Sequence, residues 1–142
     1  MRHWLLKSEP GTWSWDDQLA SADATTTWDG VRNHLANKHM KQMSVGDLCF
    51  FYHSVKAREI VGVVEVVAPH EPDPTDTKRE GDKRFGMVTV KAVEALPRPV
   101  TLDELKAAPG FSDMVLLRNS RLSVQPVSEG EWAGVLALAA EA

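Results

Sequence analysis

Three short clusters carry the side chains best suited to recognition chemistry: Lys7-Ser8-Glu9-Pro10, Trp28-Asp29-Gly30-Val31-Arg32-Asn33 and Tyr52-His53-Ser54. Trp28 and Tyr52 offer faces on which a planar heterocycle can stack, a contact worth roughly 1–3 kcal/mol per base. Asn33, Ser8 and Ser54 carry amide or hydroxyl groups able to read a base edge. Lys7 and Arg32 can meet phosphate, and the unpaired N–H groups where a helix begins favour an anion or a carbonyl oxygen. Together these groups supply what a nucleobase lifted out of its strand needs. Taken singly, each also has a packing or turn-forming reading: Trp28 as a core or rim aromatic, Asn33 as a local hydrogen-bonder, His53 as a satisfied, partly buried histidine, Ser54 as a turn former. Trp4, Trp13 and Trp15 read mainly as packing.

The common enzyme patterns are missing. His34 and His39 are five residues apart and share no helical face, and neither a His-Glu-x-x-His nor a Cys-x-x-Cys spacing occurs, so no metal is expected. There is no Gly-x-Ser-x-Gly elbow, no phosphate-binding glycine loop and no dinucleotide fingerprint, so no cofactor is expected either. The acidic pairs Asp16-Asp17 and Asp103-Glu104 fall in first turns of helices, where the helix dipole accounts for them.

At 142 residues the chain has the size of one domain with its own core. Its 16 basic and 20 acidic residues give a net charge of -4. A protein that gripped long duplexes through phosphates alone would be basic, so nucleic-acid contact has to be local, through a small patch and a pocket. The single cysteine, Cys49, suits a reducing compartment. No apolar run reaches the length of a membrane span and the N-terminus lacks the apolar region of a signal peptide. The expectation is a soluble, intracellular monomer, cytoplasmic with the nucleoid or nucleus as alternatives, and with no membrane partner.

The elements that would position the three clusters follow from the patterning. Val45 to Val67 holds two β-branched and aromatic runs around Val55-Lys56-Ala57-Arg58-Glu59, which reads as a hairpin or two neighbouring strands at the centre of a sheet. The unbroken run Leu48-Cys49-Phe50-Phe51 implies burial on both faces. His3 to Lys7 reads as a first strand, stopped by Ser8-Glu9-Pro10-Gly11. Ser14 and Asp17 cap a short helix to about Ala22, and Asp23 to Thr27 reads as polar connection. Trp28-Asp29-Gly30 is a turn into a helix from Val31 to about Met43, with Leu35, Ala36, Met40 and Met43 forming its apolar face.

Pro69 to Asp82 reads as an exposed loop. Phe85 to Ala95 is a long strand ended by Pro97-Arg98-Pro99, and Thr101 with Glu104 caps a helix to Ala107. Residues 109–120 look irregular, with one helical turn. Arg121 to Gln125 is a last strand stopped by Pro126, and Ser128 with Glu131 caps a final helix. One α+β domain over residues 1–142 is expected.

Seven motifs in order also match a known family. Lys7-Ser8-Glu9-Pro10, Trp28-Asp29-Gly30-Val31-Arg32-Asn33, Gly46-Asp47, Phe51-Tyr52-His53-Ser54, Pro72-Asp73-Pro74-Thr75, Leu96-Pro97-Arg98-Pro99-Val100 and Arg121-Leu122-Ser123-Val124-Gln125-Pro126-Val127 together resemble the EVE domain, a PUA-related family. The resemblance implies a PUA-like fold, a curved, barrel-like sheet of about five to six strands with helices packed around it. It also implies a pocket related to that of YTH domains, taking a modified cytosine in DNA or a modified base in RNA; the absence of catalytic motifs makes the expectation a binding module rather than an enzyme. Carried onto matching positions, the pocket would draw on Lys7, Ser8, Trp28, Val31, Asn33, Tyr52, His53 and Ser54, with Arg121 and Ser123 to Gln125 from the last strand.

In this reading Trp28 or Tyr52 is the aromatic wall and Asn33 and Ser54 are the polar edge. Lys7, Arg32 and Arg121 are the phosphate contacts. Where many members continue Tyr-Gln-Ala-Arg, this chain has His34-Leu35-Ala36-Asn37, so a basic and an aromatic side chain are missing there. The loop after Pro74 is short, and Phe85 stands where many members have tryptophan. Two alternatives stay open: an enzyme or accessory factor of nucleic-acid modification using Lys7, Glu9 or His53, and a pocket for a small acidic or heterocyclic metabolite.

Overall fold

The computed structural model describes residues 2–55, 57–76 and 85–141. Among these residues, six strands form one mixed sheet: β1 (His3–Ser8), β2 (Thr25–Trp28), β3 (Leu48–His53), β4 (Glu59–Pro72), β5 (Gly86–Thr101) and β6 (Val124–Val127). The spatial order is β2-β5-β4-β3-β1-β6. β1 and β3 run parallel, in register from His3 opposite Leu48 to Ser8 opposite His53. The other pairs are antiparallel. Helices α1 (Trp15–Ala20), α2 (His34–Gln42), α3 (Leu102–Ala107), α4 (Val115–Arg118) and α5 (Glu129–Ala140) complete an α+β fold. None of the described helices is long and apolar enough to cross a membrane.

Alternation along β3 divides the core in two. Cys49 and Phe51 face one cluster with Trp4, Leu6, Trp15, Trp28, Met40 and Val88. Phe50 and Tyr52 face the other, with Leu5, Ile60, Leu105, Met114 and Trp132. That is the two-sided burial expected of the run Leu48 to Phe51. Phe50 stacks on Trp132 with ring centres 3.8 Å apart. Capping boxes at Ser14/Asp17, Thr101/Glu104 and Ser128/Glu131 start α1, α3 and α5 where the sequence places them.

Several boundaries differ from the sequence reading. Thr25 to Trp28 is a strand paired with Lys91 to Val88, where a polar connection to Thr27 and a turn from Trp28 were expected. Threonine is polar yet β-branched, and an edge strand tolerates it on its open side. The chain enters α2 through Asn33 as N-cap, so that helix begins at His34, and Leu35 lies on its exposed side. β4 continues through Pro72 into the stretch expected to be an exposed loop, and Asp73 and Asp76 beyond it are buried. Residues 77–82 of that loop lie outside the described residues.

β5 likewise runs through Pro97 and Pro99. Between the pairs Ile60–Val100 and Gly62–Ala95 its ladder shifts register, so residues 96–99 bulge out where a proline costs no hydrogen bond. β6 begins at Val124 and contains Pro126, which an edge strand permits. Arg121 and Ser123 therefore sit in the turn before β6.

Candidate functional site

A cavity of about 600 Å³ opens where β1 ends, lined by Lys7, Ser8, Glu9, Thr12, Trp13, Thr26 to Arg32 and Ser123. Its walls come from both edges of the sheet, β2 on one side and the turn into β6 on the other. Flat, five interstrand steps would separate those edges by on the order of 24 Å. Their meeting around one cavity means that the sheet curls into a barrel-like surface.

Trp28 is the innermost aromatic, 8% exposed and edge-on to Phe51 at 5.6 Å with an interplanar angle of 86°. Trp13 hangs over the same space from the loop after β1. That loop is pinned: the Ser8 hydroxyl donates to the Trp13 carbonyl, and Trp13 Nε1 donates to Gln18 Oε1 at 2.9 Å. Gln18 is fully buried and reaches on to the Ala24 carbonyl at 2.8 Å. Lys7 donates through Nζ to the Ser120 carbonyl at 2.7 Å and lies 5.9 Å from the centre of the Tyr52 ring. Partial burial lowers the Lys7 pKa from the usual lysine value.

Of the expected site residues, Lys7, Ser8, Trp28, Val31, Arg32 and Ser123 come together in this cavity. Asn33, Tyr52, His53, Ser54, Arg121 and Gln125 lie outside its lining. Asn33 uses its side-chain oxygen to accept from the Ala36 N–H at 2.9 Å. Tyr52 belongs to the opposite core and burial raises its pKa. His53 Nε2 accepts from the Trp15 N–H at 3.0 Å. Ser54 donates its backbone N–H to the Ser8 carbonyl at 2.9 Å. Gln125 is fully buried and donates to the Leu122 carbonyl at 2.8 Å.

Arg121 is exposed, beside the Ser120 carbonyl that holds Lys7. Arg32 lines the cavity but is ion-paired with Asp73 at 3.0 Å. Sequence reasoning missed Thr12, Trp13, Thr26 and Thr27 as lining residues. The available signal for Trp13 was its position in the same loop as Ser8. Thr26 and Thr27 gave none while Asp23 to Thr27 read as a connection.

Cys49 is buried and burial raises its thiol pKa, so it offers no thiolate. Among the described residues no cluster of three or more His, Cys, Asp or Glu side chains stands where it would hold a metal ion. The cavity offers aromatic faces, hydroxyls, the Lys7 amine, the ion-paired Arg32 and the carboxylates of Glu9 and Asp29, a mix able to hold a flat heterocycle with polar edges.

Comparison with known proteins places this geometry in context. The family model for the EVE domain matches residues 2–138. Human thymocyte nuclear protein 1 is 35% identical over 164 residues, covering 96% of this chain and 73% of that protein. The crystal structure of human THYN1 protein in complex with 5-methylcytosine-containing DNA superposes with a TM-score of 0.94. It is 33% identical, covering 100% of this chain and 99% of that chain. The YTH domain of the Zygosaccharomyces rouxii MRB1 protein shares the fold at a TM-score of 0.58 and 20% identity, over 97% of this chain and 86% of that one.

Proposed function

The chain belongs to the EVE domain family, and on that premise we propose that it is a single-domain, non-catalytic module that captures a modified nucleobase. The base, extruded from DNA or RNA, enters the cavity at the end of β1. Trp28 stacks on it, with Trp13 closing over the opposite face. Ser123 presents its hydroxyl to the base edge. The Ser8 and Thr27 hydroxyl oxygens face it as acceptors, because their protons go to the Trp13 carbonyl and the Asp29 carboxylate. Lys7 with Arg121 meets the flanking phosphates. Arg32, neutralised by Asp73, shapes the wall instead. The observation that carries this reading is the convergence of Lys7-Ser8, Trp28-Val31 and Ser123 on one cavity. A structural relative with the same fold is crystallised with DNA containing 5-methylcytosine.

The test is a tryptophan-fluorescence titration against modified and unmodified nucleosides, then against short DNA and RNA strands carrying the same bases. Saturable quenching by one modified base, tighter in an oligonucleotide than as a nucleoside, is the expected result and names the ligand. A folded protein silent to every oligonucleotide yet quenched by a small free heterocycle transfers the site to the metabolite reading. The net charge of -4 and the engaged Arg32 are the features that favour that reading. Conversion of the bound nucleoside to a new product would overturn the non-catalytic assignment.

A further inference from the structure

The motif Pro72-Asp73-Pro74-Thr75 lies outside the cavity, yet Asp73 is fully buried. Its carboxylate accepts from the Gly30 N–H at 2.8 Å and from Arg32 Nη1 at 3.0 Å. It also accepts from the Thr75 N–H at 2.7 Å and the Thr75 hydroxyl at 2.6 Å. A carboxylate offers about four lone-pair sites, and these four donors occupy them. Gly30 and Arg32 both belong to the segment between β2 and α2 that forms one wall of the cavity. That segment lies in neither a strand nor a helix, and Gly30 turns it with φ of 76°.

The same guanidinium donates to the Val31 carbonyl at 3.0 Å and to the Thr75 hydroxyl at 2.9 Å. Arg32 also lies 5.6 Å from the centre of the Phe85 ring. The Asp73 backbone is fixed in turn, donating to the Phe85 carbonyl at 3.1 Å and accepting from Asp76 at 3.0 Å. The wall that carries Trp28 and Val31 is thus tied to the far end of the long hairpin through one buried carboxylate. We propose that Asp73 is a positioning residue for the cavity. It holds the Trp28–Val31 wall by clamping Gly30 and Arg32, so that a flat ligand meets a preformed face. The affinity consequence rests on the base-capture reading, whereas the placement of Trp28 does not.

The experiment labels the five tryptophans with 5-fluorotryptophan and assigns their fluorine resonances by single Trp→Phe changes. Asp73→Asn keeps the shape of the side chain but turns one acceptor into a donor that faces donors. Its expected effect is a shifted and broadened Trp28 resonance with those of Trp4 and Trp132 unmoved. For the best-binding oligonucleotide the affinity should fall about tenfold, as for loss of a buried charged hydrogen-bond partner. Should Asp73→Asn not fold, Arg32→Gln opens the same clamp from its other side and is read in the same way. A folded variant with reduced melting temperature but an unmoved Trp28 resonance and unchanged affinity overturns the proposal. If wild-type protein binds no oligonucleotide, base capture fails separately, and the Trp28 resonance alone decides the clamp.

Discussion

Trp28 serves two sets of contacts at once. Its edge contact with Phe51 belongs to the core, an aromatic pair worth about 0.5–1.5 kcal/mol beyond area burial. Its accessible part belongs to the cavity. Trp28→Leu should therefore cost both stability and about 1–3 kcal/mol of ligand affinity, the value of one stacked base. Tyr52→Phe should leave affinity within about twofold, because that ring is packed on the opposite side of β3 and this change removes only the hydroxyl, a small step on the scale of a hydrogen bond. Fluorescence titration of each variant, with circular dichroism to establish folding, checks both. Equal losses from the two substitutions would place the aromatic wall elsewhere. At this scale residue types were legible and pairings were not. Asn33, Arg32 and Lys7 stand in clusters that look alike in sequence, yet one caps a helix, one is ion-paired and one reaches a carbonyl 113 positions away.

The loop and helix that follow β1 depend on β3 for their placement. The Trp15 N–H at the start of α1 donates to His53 Nε2, which requires that nitrogen to be unprotonated. Burial lowers the His53 pKa from its ordinary 6.5, against the opposing pull of Glu59 and Asp16. The unfolded chain therefore takes up this proton at higher pH than the folded one. Stability from this group is present above pH 6.5 and is lost as pH falls through the lower folded value. Chemical denaturation across pH 5 to 8 should show a decline on the acidic side that His53→Gln reduces in part, because burial lowers the pKa values of His39 and His70 as well. A dependence unchanged by that substitution would remove His53 from the account. The starts of α1, α3 and α5 were readable because capping boxes are local. The strand Thr25–Trp28 and the passage of β5 through Pro97 and Pro99 were not, since they are decided by partners across the sheet, including a bulge that no local composition announces.

For the whole molecule, charge limits how nucleic acid can be held. With a net charge of -4 there is no general attraction to a polyanion, so on the base-capture reading electrostatic contact would fall to side chains at the rim of the cavity. Arg32 is engaged by Asp73, which leaves Lys7 and Arg121 on the side of the turn into β6. Two phosphate contacts to a single strand give a slope of about -1.4 in log affinity against log salt. Raising salt from 50 to 200 mM should then weaken an oligonucleotide about sevenfold and leave a neutral nucleoside unchanged. Lys7→Gln should reduce that slope by about half while keeping the preference for the modified base, since phosphate contacts position and base contacts specify. A far steeper salt dependence would mean that the strand lies across a wider surface than this rim. A flat one in a tight complex would mean that the heterocycle alone is the ligand.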